Sequence, residues 1–212
     1  MFGSRANGLY VPRFRNWGKL KGNNYLRGFG YQGGASRGGW GRGTGMDGFG
    51  ADFKQELTQL GEWSLGFGGF GEILANPNNR FVLSATEKDK WGLPVLEFET
   101  QFGENELNMR KDMANDMAEM LEAAGVKNVS AYNKSDTHIG LGIHEMGTAR
   151  MGKDPKTSIL NKHNQVHSVK NVFLTDGAAM ASSSCVNPSL TYMALTARAA
   201  DFAVGELKKM NL

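Results

Sequence analysis

Between residues 105 and 124 the apolar positions recur with the period of an α-helix. Met113, Met117, Met120, Leu121 and Ala124 fall at i, i+4, i+7, i+8 and i+11, and Gly125 follows as a stop. Methionine is flexible and fills irregular gaps, so this stripe reads as a core-facing surface rather than a ligand surface. Before it, residues 80–84 and 95–101 are rich in β-formers and flank the turn-like DKWGLP at 89–94. That pattern predicts a β-hairpin, which should pack against the helix. Residues 126–132 read as a further strand. Residues 172–176 (VFLTD) form a short apolar strand that ends at Asp176-Gly177. After a run of small residues, Asn187-Pro188 opens a second strong helix that runs to about residue 209. Asn187 suits the N-cap, and Pro188 suits the first helical position, where its missing N–H has no partner to lose.

The first 50 residues show no such period. They hold 15 of the 29 glycines and nine aromatic residues. This composition predicts a long irregular segment that is ordered only by lying on something else. The chain thus divides into an irregular segment (1–50), an α+β region with an antiparallel sheet backed by helices (51–170), and a strand–loop–helix unit (171–212).

Composition changes this picture little. The 212 residues carry 24 basic and 21 acidic side chains, a net charge of +3. Residues 1–50 hold eight Lys/Arg against the single acid Asp47, so the remainder is about −4. No apolar run approaches the length of a membrane span, and the first residues lack the apolar centre of a secretory signal. Cys185 is the only cysteine, which excludes an internal disulfide.

Several motifs carry less than they promise. Gly28-Phe-Gly30-Tyr-Gln-Gly33 and Gly43-Thr-Gly45-Met-Asp-Gly48 match a dinucleotide fingerprint in spacing, yet neither follows an apolar strand. In so glycine-rich a stretch such matches arise by chance. The basic, aromatic, glycine-rich segment also resembles an RNA-binding one, but its arginines are sparse and RGG occurs once, at 37–39. His163 and His167 have i, i+4 spacing but no acidic residue between them, and their segment reads as a turn entering a strand. They read as surface histidines, and no metal site is expected.

His144 opens the block HEMGTARMG (144–152). Two glycines, a threonine and an arginine so close behind a histidine describe a bent backbone that could hold an imidazole at the edge of a cavity. On these residues alone, a structural histidine is the better reading. Three further blocks follow in order: TSILNKHNQVHSVKN (157–171), VFLTDGAAMASSSCVNPSLT (172–191) and YMALTARAADFAVGEL (192–207). Together the four resemble the C-terminal signature of the glucose–methanol–choline (GMC) flavoprotein oxidoreductases. YVPRFRN, GYQGGASRGGW and the hairpin-plus-helix upstream are similar to the substrate-binding half of that family. The amino-terminal FAD-binding fingerprint of the family has no counterpart here, so the chain resembles the C-terminal portion of such an enzyme.

The resemblance implies oxidation of an alcohol, a sugar or polyol, by FAD. The substrate C–H would pass as hydride to flavin N5 while the hydroxyl proton leaves. It implies His144 as the base, a role suited to an imidazole because that group titrates near neutral pH. It implies Asn187 as its partner, holding the substrate hydroxyl without titrating. Asp176 and Gly177, with Asn187, Pro188, Ser189 and Thr191 at the helix start, would approach the cofactor; a helix N-terminus favours the anionic reduced flavin. The implied partners are the small-molecule substrate and an amino-terminal flavin domain, in the same protein or another chain. Without that domain the chain would retain little FAD. A fragment or accessory chain that keeps the fold without FAD is the alternative.

Overall fold

The methionine stripe forms the expected helix, but it lies on a different partner. In the computed structural model, which describes residues 8–18, 24–133 and 138–212, helix α2 spans Glu104–Ala123. Its first turn is closed by Glu106, whose carboxylate accepts from the Gly103 amide at 2.9 Å and the Leu74 amide at 3.0 Å. A buried carboxylate is tolerated when backbone donors satisfy it in this way. Past the helix, Gly125 and Val126 donate back to the carbonyls of Glu122 and Leu121 and end it.

The sheet beneath α2 comes largely from the segment expected to be irregular. Strands β1 (Gly8–Val11), β2 (Phe29–Arg37) and β3 (Trp63–Gly71) form an antiparallel sheet in the order β1-β2-β3. Composition misled here because glycines of that segment are packing positions: a Cβ on Gly33 would sit 2.2 Å from the Gly66 carbonyl of β3. A Cβ on Gly69 would sit 2.0 Å from the Met113 sulfur, so α2 can lie close to β3 only because that side chain is absent. The core is Tyr25, Phe29, Tyr31, Met109 and Met117, with Met113, Met120 and Leu121 packed at its edge. Ala124, at the end of the predicted stripe, is exposed.

Arg15, Arg37 and Arg42 of the same segment are engaged internally. Arg15 grips the buried Asp116 of α2 through two hydrogen bonds, at 2.8 and 2.5 Å. Tyr25 donates to Asp112, one turn earlier. Arg37 donates to the Gly61 carbonyl, and Arg42 to the carbonyls of Glu56 and Gln59 at the end of helix α1 (Gly50–Thr58). These three arginines of the basic segment therefore tie loops and helices to the sheet.

The predicted hairpin forms from β4 (Arg80–Lys88) and β5 (Pro94–Glu99). It does not pack on α2 as expected: Phe81, Leu83, Leu96 and Phe98 remain exposed. No strand forms at 126–132, where the chain after Gly125 has no neighbouring strand to pair with. The apolar stretch expected at 172–176 forms earlier, as β7 (Val169–Phe173), paired with β6 (Gln165–Val166). Helix α3 spans Ser189–Lys208. The molecule is an α+β fold of antiparallel sheets and helices.

Candidate functional site

The site is built where the His144 block meets the turn after β7. Gly147, Ala149 and Met151 donate their amides to the carbonyls of Gly177, Ala178 and Ala179 at 3.3, 3.0 and 2.9 Å. This ladder fixes the bend that the glycines of HEMGTARMG suggested. Gly147 has φ +92, and Ile143, directly before His144, has φ +69, a conformation that β-branched residues avoid. His144 is half-buried, and among the described residues no hydrogen bond holds its imidazole.

The turn itself demands glycine. A Cβ on Gly177 would lie 2.9 Å from the Glu145 carbonyl, 2.9 Å from the Tyr192 hydroxyl and 3.0 Å from the Met146 sulfur. Asp176 caps the turn Gly177–Ala179 by accepting from the Ala178 amide at 3.0 Å. Its carboxylate is exposed. Tyr192, in the first turn of α3, donates to the sulfur of Met146 at 3.4 Å. Burial, then the charges of Asp176 and Glu145, raises the Tyr192 pKa and keeps its hydroxyl protonated. The His144 block and the start of α3 therefore converge on one glycine.

The helix start differs from expectation in one position. Pro188 occupies the N-cap and is buried; Ser189 is the first helical residue, and no side chain caps the helix. Asn187 lies one residue outside it. Its Nδ2 instead donates to Oε1 of Gln32 in β2 at 3.3 Å. Asparagine is a good cap only when its oxygen can turn back to the second or third amide, and here the side chain is held by the sheet. Among the described residues nothing accepts from the amides of Ser189, Leu190 and Thr191. Asn187, Ser189 and Thr191 are exposed. Uncapped donors of this kind are chemically suited to an anionic group.

Two residues without an assigned role in the sequence prove structural. Asn164 is fully buried with φ +62; its Nδ2 donates to the Leu174 carbonyl at 2.9 Å, and its Oδ1 accepts from Arg198 of α3 at 3.0 Å. Arg150 donates to the Thr157 carbonyl at 2.6 Å. Asn164 could be suspected from sequence only as one of several asparagines in a turn-forming stretch. Gln32 and Tyr192 carried no signal at all, since each meets its partner through tertiary contact.

His163 and His167 are half-buried rather than surface groups. His163 stacks on Phe202 of α3, ring centroids 3.9 Å apart and planes 4° apart. Burial, then Lys162 and Arg198, lowers its pKa against the opposing pull of Glu206. His167 Nε2 lies 3.1 Å from the Ser158 hydroxyl. Among the described residues no three His, Cys, Asp or Glu side chains gather as a metal site. No helix among them is long and apolar enough to cross a membrane.

A family model described as GMC oxidoreductase matches residues 76–196. The chain is 36% identical over 143 residues to the fructose dehydrogenase large subunit of Gluconobacter japonicus, covering 65% of this chain and 25% of that protein. It is 34% identical over 136 residues to 2-methyl-1,2-propanediol dehydrogenase of Mycolicibacterium austroafricanum, covering 63% and 24%. With the gluconate 2-dehydrogenase flavoprotein of Pantoea cypripedii it shares 27% identity over 157 residues, covering 72% and 26%. The aligned stretch is about a quarter of the length of these relatives.

Proposed function

Because the chain belongs to the GMC oxidoreductase family, we propose that it is the C-terminal, substrate-facing part of an FAD-dependent enzyme that oxidises an alcohol, a sugar or polyol. The observation that carries this reading is the convergence of the His144 block and the α3 start on Gly177. His144 takes the hydroxyl proton, and an imidazole without an internal hydrogen bond is free to do so. Asn187 holds the substrate oxygen. Asp176, Gly177, Pro188, Ser189 and Thr191 form the edge that faces the cofactor, with the uncapped amides of α3 donating toward its negative charge. FAD, when bound, supplies the hydride acceptor.

The site needs a second wall. Hydride transfer requires a space closed to water, whereas His144 is half-buried and Asn187 exposed. Along α3, Leu190, Met193, Val204 and Leu207 lie at spacings of three, eleven and three residues, on one stripe, and are 50–78% exposed. A flavin domain such as the remaining length of the relatives could provide would cover such a stripe. The substrates in the relatives' names, a sugar and a diol among them, support the substrate class.

The test uses the complete enzyme. His144→Ala should retain FAD and slow flavin reduction by substrate on the order of 10²–10⁴-fold, the usual worth of a general base. A wild-type rate in that variant would overturn the assignment. The second reading is a chain that keeps the fold without FAD. Flavin absorbance of the desalted protein separates the two.

A further inference from the structure

Strand geometry sends alternate side chains to opposite faces of a sheet. In β2, Phe29 and Tyr31 enter the core beneath α2, so Gly30 and Gln32 lie on the other face. Tyr10 of β1 is the cross-strand partner of Gln32 and shares that face. The segment leading into α3 rests on these three residues. The Cys185 sulfur lies 3.2 Å from where a Cβ on Gly30 would be, and burial, then the neighbouring Cys185, raises the Tyr10 pKa. Asn187 Nδ2 donates to Gln32 Oε1 at 3.3 Å. Cys185 and Asn187 are two residues apart, as are Gly30 and Gln32, so the segment lies in register with the strand.

From this juxtaposition we infer that Gln32 is the positioning residue of Asn187, holding the Asn187 amide by one N–H and leaving the other to the substrate oxygen. The inference rests on the reading of Asn187 as a substrate contact. An asparagine amide on an exposed loop can flip, and a flipped amide would turn a carbonyl toward an oxygen that gains negative charge as its proton leaves. With Gln32 Oε1 facing the segment, a flipped Asn187 would set two carbonyl oxygens against each other. The remaining N–H is then directed to the developing charge before reaction begins. In the substrate complex the hydroxyl proton goes to His144 while the hydroxyl oxygen accepts from Asn187, so His144 acts on the O–H bond and Asn187 on a lone pair of the same oxygen.

The variants are Gln32→Leu, which removes the acceptor at similar volume, and Gln32→Glu, which retains an acceptor and offers no donor. In the 212-residue chain, NMR should show one Asn187 side-chain amide proton shifted and protected from exchange. That signature should disappear in Gln32→Leu and persist in Gln32→Glu, with the Phe29 and Tyr31 ring signals unchanged in both. In the complete enzyme, Gln32→Leu should slow flavin reduction about 3–10-fold, the worth of one hydrogen bond, and Gln32→Glu should restore most of it. An Asn187 amide indifferent to Gln32→Leu overturns the inference, as does a wild-type rate in Gln32→Leu alongside a slow Asn187→Ala. If the amide responds but Asn187→Ala reduces its flavin normally, the substrate role of Asn187 fails and the Gln32 contact stands.

Discussion

The two halves of the molecule are held together by different physics. The sheet β1–β3 and helix α2 enclose aromatic and methionine side chains with little or no exposure, Phe29 at 0% and Tyr31 at 1%. Phe29 sits edge-on to Phe14 and to Tyr31, with ring centroids 5.9 and 5.5 Å away. The region from His144 to α3 buries few apolar side chains, Leu160, Ala179 and Ala199 among them. It is joined by backbone amides to backbone carbonyls, and by the polar hub of Asn164 and Arg198. Its longest helix leaves an apolar stripe in solvent. The first half stabilises itself, whereas the second is a shaped surface whose apolar side still faces water. A reactive histidine belongs in the second kind of region, because a fully packed core leaves no room for substrate.

The sharpest way to break this contrast is to empty the core. Phe29→Ala should destabilise the chain by about 3–5 kcal/mol, through lost burial and the cavity left behind. Denaturant unfolding followed by aromatic fluorescence measures this. A loss below about 1 kcal/mol would mean that the sheet and α2 are not the stable half.

A smaller effect should come from the second half, by a different route. Gly177→Ala adds one methyl group where the Glu145 carbonyl and the Tyr192 hydroxyl lie 2.9 Å away. Backbone cannot yield as a side-chain tip can, so the turn must open. The cost should be about 1–3 kcal/mol, the range of overpacking. Amide exchange should accelerate at Gly147, Ala149 and Met151, whose bonds to the turn would lengthen. Exchange unchanged at those three amides would contradict the ladder as the link between the His144 block and α3.

What the sequence disclosed follows the same division. Period and punctuation identified α2, the hairpin and α3, because each is a local pattern that its own residues enforce. The His144 block and Asp176-Gly177 stood out because short glycine-containing runs must bend, and both do lie in the structured turn region. The glycine-rich segment was misread because its glycines are fitted to neighbours distant in sequence; Gly33 against the Gly66 carbonyl and Gly30 against Cys185 are tertiary facts. The strand expected at 126–132 failed for the converse reason, since β-propensity without a neighbour makes no ladder. The hairpin's predicted packing on α2 failed because the nearer glycine-rich sheet accepts the methionines more closely.

The finest test concerns the start of α3. An asparagine before a proline at a helix start ordinarily reads as a cap, and losing a cap costs about 0.5–2 kcal/mol. Here Pro188 holds the cap position, and the Asn187 side chain reaches sideways to Gln32 through one 3.3 Å bond at an exposed site. Asn187→Ala should therefore change the stability of the chain by no more than about 0.5 kcal/mol, as expected of an exposed residue outside a core or cap. Asn187→Asp adds a second check. A carboxylate near an uncapped helix N-terminus gains from the helix dipole and loses the bond it donated to Gln32, so its net effect should also be small. Thermal and urea unfolding of the three proteins side by side would measure both. A destabilisation of 1 kcal/mol or more in Asn187→Ala, restored in Asn187→Asp, would show that the residue caps α3 in solution, and the contact with Gln32 would then be secondary.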